Sequence, residues 1–342
     1  MEGSDMSELA ATAEAMVANG KGLLAADESS PTIKKRFDTI GVESTEERRR
    51  SYREMLFSTA GLEDSISGVI LFDETIRQSA ADGTPFPKLL ASKGILPGIK
   101  VDAGAKELAG SPGEKVGEGL DGLRDRIAEY VGLGAKFAKW RAVITIGEGI
   151  PSDACLDANA HALARYAALC VEGGLVPIVE PEVLMDGGHD LDRCYQVTER
   201  AHRKVFAELY AQNVPLAEII LKPNMVISGS DCTTQASVSA VAAATLRCFR
   251  NSVPAEVPGI MFLSGGQRDE LATAHLDAIN KQGGGPWKLS FSYGRALQAA
   301  PLKAWAGNDD NLPAAQQALS HRARCNGAAC NGEYSSEMEQ AS

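Results

Sequence analysis

Short apolar runs, several of them ending in a charged residue, recur along this chain with amphipathic stretches between them, and that rhythm limits the fold more than any other feature. The runs cover residues 22–26, 68–72, 98–102, 137–144, 176–181, 218–223, 259–263 and 289–293. Between them, residues 45–58, 117–133, 157–172, 191–212, 235–250 and 269–281 carry helical periodicity. Strand then helix, repeated about every 40 residues, implies a parallel sheet, because a parallel crossover needs a helix to bring the chain back. Eight such units match the count of a closed (β/α)8 TIM barrel, an α/β fold. A doubly wound open sheet is the alternative, but no GxGxxG follows the first run. No cluster of Gly or Pro divides the 342 residues, so residues 1–325 are expected to form a single domain. Residues 312–322 look like its last helix, and the small, polar and acidic residues 326–342 like a mobile C-terminal tail.

Composition excludes several classes of function. A net charge of -11 argues against nucleic-acid partners and against an anionic membrane surface. No basic-then-apolar leader opens the chain and no apolar run approaches a membrane span, so a cytoplasmic location is expected. The seven cysteines include no CxxC pair, Cys325 and Cys330 being the only near neighbours, which suits free thiols in a reducing compartment. The five histidines never fall at HxxxH spacing, so no histidine-built metal site is expected.

Charges concentrate where the apolar runs end. Residues two apart on a strand face the same side. The fourth run carries Lys139 and Arg141 at that spacing, the fifth Glu180 and Glu182, and the third Lys100 and Asp102. Asp27 follows the first run, and Lys222 lies at the end of the sixth. Salt bridges fastening a rim would explain any one pair. Across five strands the cost of burying charge makes that explanation poor, and ionisable groups at the C-terminal ends of barrel strands mark an active site. Lys222 is the sharpest candidate. To act as a nucleophile near pH 7 a lysine must lose roughly 3 pKa units, about 4 kcal/mol. Apolar surroundings, with like-charge repulsion from Lys139 and Lys100, are expected to supply that, while Pro223 holds Lys222 in an extended backbone.

Two further segments look like anion sites. Ser264, Gly265 and Gly266 join the seventh run to a helix through a turn whose backbone N–H groups suit a phosphate. Ser292, Gly294 and Arg295 end the eighth run similarly, and an arginine grips phosphate bidentately. Loops after the seventh and eighth strands are the usual phosphate site of this barrel. Near the first run, Ser29, Ser30, Thr32, Lys34, Lys35 and Arg36 form either a capped, solvated helix start or, with Lys100, a second phosphate site. Two anion sites flanking a nucleophilic lysine describe a bisphosphorylated carbonyl substrate.

The segments GKGLLAADES, GVILFDET, GIKVD, GLDGL, FAKWR, LARYA, VPIVEPE, LKPNM, GIMFLSGGQ and SYGRALQ, in this order over roughly residues 20 to 335, resemble those of class I fructose-bisphosphate aldolases. The resemblance implies cleavage of fructose 1,6-bisphosphate to dihydroxyacetone phosphate and glyceraldehyde 3-phosphate through a lysine imine, without cofactor or metal, by a homotetramer. It implies Lys222 as the Schiff-base lysine and Glu180, with Glu182 beside it, as the acid–base carboxylate. Asp27 and Lys139 complete the catalytic set. Ser264, Gly265, Gly266, Ser292, Gly294 and Arg295 would bind the dihydroxyacetone phosphate end. Ser29, Arg36 and Lys100 would bind the other, where Thr32 stands in place of a serine, and Arg141 joins the substrate-binding set. Other Schiff-base barrels, such as transaldolase, accept one phosphate, and a scaffolding role is a third possibility. Two departures stand out. Vertebrate members end in a tyrosine that helps protonate the enamine, whereas this sequence ends at Ser342 with Tyr334 the nearest tyrosine. Ser30–Pro31 replaces a common threonine-glycine pair.

Overall fold

Ten strands are present in the computed structural model, which describes residues 6–283 and 285–340. They are β1 (Gly22–Ala26), β2 (Ile66–Leu71), β3 (Leu96–Lys100), β4 (Ala105–Glu107), β5 (Lys115–Gly117), β6 (Phe137–Ile144), β7 (Val176–Val183), β8 (Ile220–Leu221), β9 (Gly259–Phe262) and β10 (Lys288–Tyr293). Eight of them close a parallel barrel in the order β1-β10-β9-β8-β7-β6-β3-β2, while β4 and β5 form a separate antiparallel hairpin. The (β/α)8 expectation is met.

The two-residue period of the strands sorts their side chains into layers. Leu23, Ala25, Ile70, Phe137, Val176, Ile178, Ile220 and Met261 fill the lumen. Continuing the same period upward from Ala25, Phe137, Ile178 and Ile220 leads to Asp27, Lys139, Glu180 and Lys222 at the C-terminal mouth. The alternate residues pack outward against the helices, as Trp140 does on Tyr166 with ring centroids 5.6 Å apart. Helix Glu8–Met16 supplies Ala13 and Met16, and the residue after it supplies Val17, to close the bottom of the lumen. Water is thereby shut out from below.

Several elements differ from the sequence-based expectation. The helix Glu8–Met16 and strand β4 fall where no element is expected, and β5 ends on Gly117, where a helix is expected to begin; that helix starts only at Leu123. β8 spans only Ile220–Leu221, because Glu218 belongs to a 3-10 turn, Leu216–Glu218, and Pro223 cannot donate to a ladder. The final helix runs Leu312–Cys330, eight residues beyond 322. Asn326, expected to begin a mobile tail, is fully buried and accepts a hydrogen bond from Thr273 Oγ1 at 2.7 Å. Past the helix, Tyr334 N donates to Asp277 Oδ1 at 3.0 Å and Arg322 pairs with Glu339 at 2.5 Å. The expected tail is therefore tied to the barrel at Asn326, Tyr334 and Glu339, with exposed residues such as Glu333 and Glu337 between them, and its residues 341–342 lie outside the described ones.

Gly98 shows how tightly the lumen is filled. A Cβ there would meet the Phe137 ring at 2.1 Å. Gly98→Ala is expected to cost about 1–3 kcal/mol of stability through overpacking, read as a lower urea midpoint. An unchanged midpoint would mean that the ring yields freely.

Candidate active site

Lys222 lies one residue past β8 yet is still fixed by the sheet. Its N–H donates to Val179 O at 2.8 Å, and Leu263 N–H donates to Pro223 O at 3.0 Å, so β7 and β9 grip the segment from both sides. The next residue but one, Asn224, accepts from Val183 N–H at 3.0 Å and donates to Thr198 Oγ1 at 3.1 Å, which pins the turn beyond. Lys222 Nζ ends 3.2 Å from Glu180 Oε1, with both side chains about 5% exposed or less.

Glu180 is shared. Its other oxygen lies 3.5 Å from Lys139 Nζ, and Lys139 also contacts Asp27 Oδ2 at 2.7 Å. The four groups form a nearly dry chain, Asp27–Lys139–Glu180–Lys222, of balanced charge. Burial pushes the Asp27 carboxyl upward, but Lys139 and Lys222 together outweigh it and hold the group well below the usual carboxylate range. Burial likewise works against the Lys139 ammonium, and Asp27 and Glu180 outweigh it, so Lys139 stays firmly charged. This differs from the expected arrangement, in which Lys139 and Lys100 repel Lys222. Each has its own acid instead, with Lys100 on Asp102 at 2.6 Å.

Beside this chain Arg141 Nε is bonded to Glu182, and burial of the Arg141 guanidinium is outweighed by Glu182 and Glu180, which keep it charged. Asp102 Oδ2 accepts from the backbone N–H of Arg141 at 3.1 Å and so aligns β6 with the loop after β3.

The anion-binding segments surround the same space. Gly265 and Gly266 have φ of 61° and 90°, a left-handed backbone that favours glycine. A Cβ on Gly266 would come within 2.8 Å of Arg295 Nη2, so only glycine lets the arginine reach the turn. Ser292 is buried, and its hydroxyl has no hydrogen-bond partner among the described residues, an arrangement that a ligand oxygen would satisfy. Helices Ser30–Asp38, Asp269–Gln282 and Arg295–Trp305 begin here without a side-chain cap among the described residues, leaving first-turn N–H groups for an anion. Arg36 does not keep to the Ser29 and Lys100 side. A Cβ on Gly294 would lie 3.6 Å from Arg36 Nη2, which puts the guanidinium on the border between the two anion-binding groups.

Lys222, Glu180, Asp27, Lys139, Glu182, Ser29, Arg36, Lys100, Arg141, Ser264, Gly265, Gly266, Ser292, Gly294 and Arg295 all line one cavity of about 1180 Å³. Thus the structure brings these residues together, with Thr32 and Lys35 beside them, whereas Ser30 and Lys34 of the expected second anion group stay outside the cavity, Lys34 being exposed and paired with Asp38 at 2.8 Å. It adds a support the sequence reasoning missed. Glu28 is buried, bonded to Arg36, 2.8 Å from Arg53 Nη2, and accepts from Gln298 Nε2 at 2.8 Å. Gln298 in turn donates to Ala25 O at 2.7 Å, joining the last strand-end helix to β1. The only sequence signal was an acid next to Asp27, which reads equally well as a surface charge.

Comparison with known proteins agrees with this geometry. The profile of class-I fructose-bisphosphate aldolases matches residues 8–342. A probable fructose-bisphosphate aldolase class 1 of Xanthomonas campestris is 61% identical over 96% of this chain and 98% of its own. A cytosolic fructose-bisphosphate aldolase of Arabidopsis thaliana is 50% identical over 97% of this chain and 85% of its own. Among solved structures, fructose-bisphosphate aldolase from Plasmodium falciparum, in complex with TRAP and a small-molecule inhibitor, superposes with a TM-score of 0.95 at 48% identity, covering 96% of this chain and 95% of that one.

Two outcomes test the charge chain. Lys139→Met leaves Asp27 without its ion-pair partner and Glu180 with Lys222 alone, and should cost about 3–5 kcal/mol by urea unfolding, with part of it restored in Asp27→Asn/Lys139→Met; equal losses would break the coupling. The depressed Asp27 carboxyl contributes stability that is complete above its unfolded value of about 3.9 and fades as pH falls below it. Asp27→Asn should therefore flatten the acid limb of the stability curve, measured by unfolding at stepped pH.

Proposed function

This chain belongs to the class I fructose-bisphosphate aldolase family, whose members are carbon–carbon lyases, and on that premise we propose that it cleaves fructose 1,6-bisphosphate through a Schiff base on Lys222. The observation that carries the assignment is the asymmetry between the two buried lysines. Lys139 is held as an ammonium by two carboxylates, 2.7 and 3.5 Å away, whereas Lys222, among the described residues, pairs with Glu180 alone, at 3.2 Å and shared. Of the pair, Lys222 faces fewer carboxylates, which supports it as the reacting amine, with Glu180 in place to exchange protons with it.

The neutral amine attacks the C2 carbonyl, and Glu180 returns a proton to the carbinolamine oxygen, which leaves as water. The resulting cationic imine is an electron sink, so the C3–C4 bond breaks when the C4 hydroxyl gives its proton to Glu180 or Asp27. Glyceraldehyde 3-phosphate departs. The enamine is protonated at C3, water hydrolyses the imine, and dihydroxyacetone phosphate leaves with the amine restored. Lys139, fixed in its charged form, offsets negative charge during the carbinolamine steps. Arg295, the glycine turn at 265–266 and the Ser292 hydroxyl support binding of one phosphate. Ser29, Lys100 and the uncapped start of helix Ser30–Asp38 support binding of the other, with Arg36 between them. Assembly as a homotetramer, a cytoplasmic location and service in glycolysis or gluconeogenesis belong to the same proposal; the cytosolic Arabidopsis relative supports the location. No helix among the described residues is long and apolar enough to cross a membrane.

Borohydride added with substrate should inactivate the enzyme and attach the reduced three-carbon phosphate to Lys222, located by peptide mass mapping. A label on Lys139 would overturn the assignment. Arg295→Ala removes charge-assisted hydrogen bonds of about 1.5–3 kcal/mol, so KM for the bisphosphate should rise about 10- to 100-fold. An unchanged KM in steady-state assays would take Arg295 out of the phosphate site.

A further inference from the structure

His321 and Cys325 lie one helical turn apart on helix Leu312–Cys330, with Glu339 of the 3-10 turn Ser336–Gln340 folded back against them. We propose that these three side chains form a zinc site that fastens the C-terminal segment to the barrel, separate from the reaction. None of the three lines the substrate cavity.

The distances carry the inference. His321 Nε2 lies 3.7 Å from Cys325 Sγ and 3.4 Å from Glu339 Oε2, and the three ligand atoms all fall within 4.8 Å of one another. With Zn–N near 2.0–2.1 Å, Zn–S near 2.3 Å and Zn–O near 2.0–2.2 Å, a tetrahedron has N–S edges of about 3.5 Å and N–O edges of about 3.3 Å. The histidine already stands at those two edges, and the remaining sulfur–oxygen edge falls within 4.8 Å. The imidazole–carboxylate separation is also long for an N–H···O hydrogen bond, whose usual length is about 2.9–3.0 Å. A metal explains the spacing better than a proton does.

The ligand types select the metal. Thiolate, imidazole and carboxylate together suit zinc, whereas magnesium and calcium prefer oxygen alone. The carboxylate is held from behind, as metal-bound carboxylates usually are. Arg322 Nη1 donates to both Glu339 oxygens, at 2.5 and 2.6 Å, and Tyr334 OH donates to Oε1 at 2.9 Å. Oε2, which receives no tyrosine, is the oxygen nearest His321. Cys325 is 1% exposed, while the side chains of His321 and Glu339 are 12% and 19% exposed, so a fourth ligand would be water entering from their side. When zinc binds, the Zn–S bond replaces the S–H bond and the thiol proton passes to solvent.

In sequence the site carries neither a CxxC pair nor an HxxxH pair. HxxxC is a weak signal, and Glu339 reaches it only through the chain reversal after Cys330.

Metal-stripped full-length protein should be titrated with Co2+, which reports tetrahedral thiolate ligation by an intense visible spectrum and a sulfur-to-cobalt charge-transfer band. One equivalent per chain is expected. Cys325→Ser should abolish the charge-transfer band while keeping the wild-type circular dichroism and cleavage rate, and His321→Ala should weaken Zn2+ about tenfold or more in competition with a chromogenic chelator. Absence of the band in the wild type, or its survival in Cys325→Ser, would overturn the proposal.

Discussion

A carboxylate placed between two ammonium groups in a nearly dry barrel mouth is the constraint on which the rest of this structure depends. Glu180 contacts Lys139 and Lys222 through its two oxygens, and Lys139 extends the chain to Asp27. Taking four charges out of water costs several kcal/mol each unless every one meets a partner in good geometry. The barrel meets that cost by bringing β6, β7 and the residues just past β1 and β8 to one point.

The same requirement explains the apolar layers beneath. Phe137 and its neighbours fill the lumen, Gly98 yields room for the Phe137 ring, and the helix Glu8–Met16 closes the floor. With water excluded below, the charges at the top interact strongly with one another and weakly with bulk solvent. Above them the walls change character. Glycine turns and uncapped helix starts present N–H groups instead of side chains, so anionic ends of a ligand meet fixed dipoles while its centre meets the lysine.

Much of this was legible in the chain because it rests on local periodicity. Lys139 and Arg141, or Glu180 and Glu182, share a face simply by being two apart on a strand, and the strand spans at 22–26 and 137–144 match those observed. Other features were not legible, for equally physical reasons. β8 shrank to two residues because Pro223 cannot donate, although the extended pairing persists through Lys222 N–H. Asn326 looks like a tail residue by composition and becomes buried only because Thr273 offers its hydroxyl from another helix. Glu28 looks like a surface acid until Arg36, Arg53 and Gln298 converge on it.

By itself, the sequence determined the barrel, the strand ends that bear charge and the residues that gather at its mouth, since each follows from spacing along one element. Only the tertiary structure decided which acid faces which base. Lys139 went to Asp27 and Glu180, Lys100 to Asp102, Arg141 to Glu182, and Arg36 moved to the border beside Gly294. Pairing across strands depends on their register and on barrel closure, which are properties of the assembled sheet and leave no mark on any single segment.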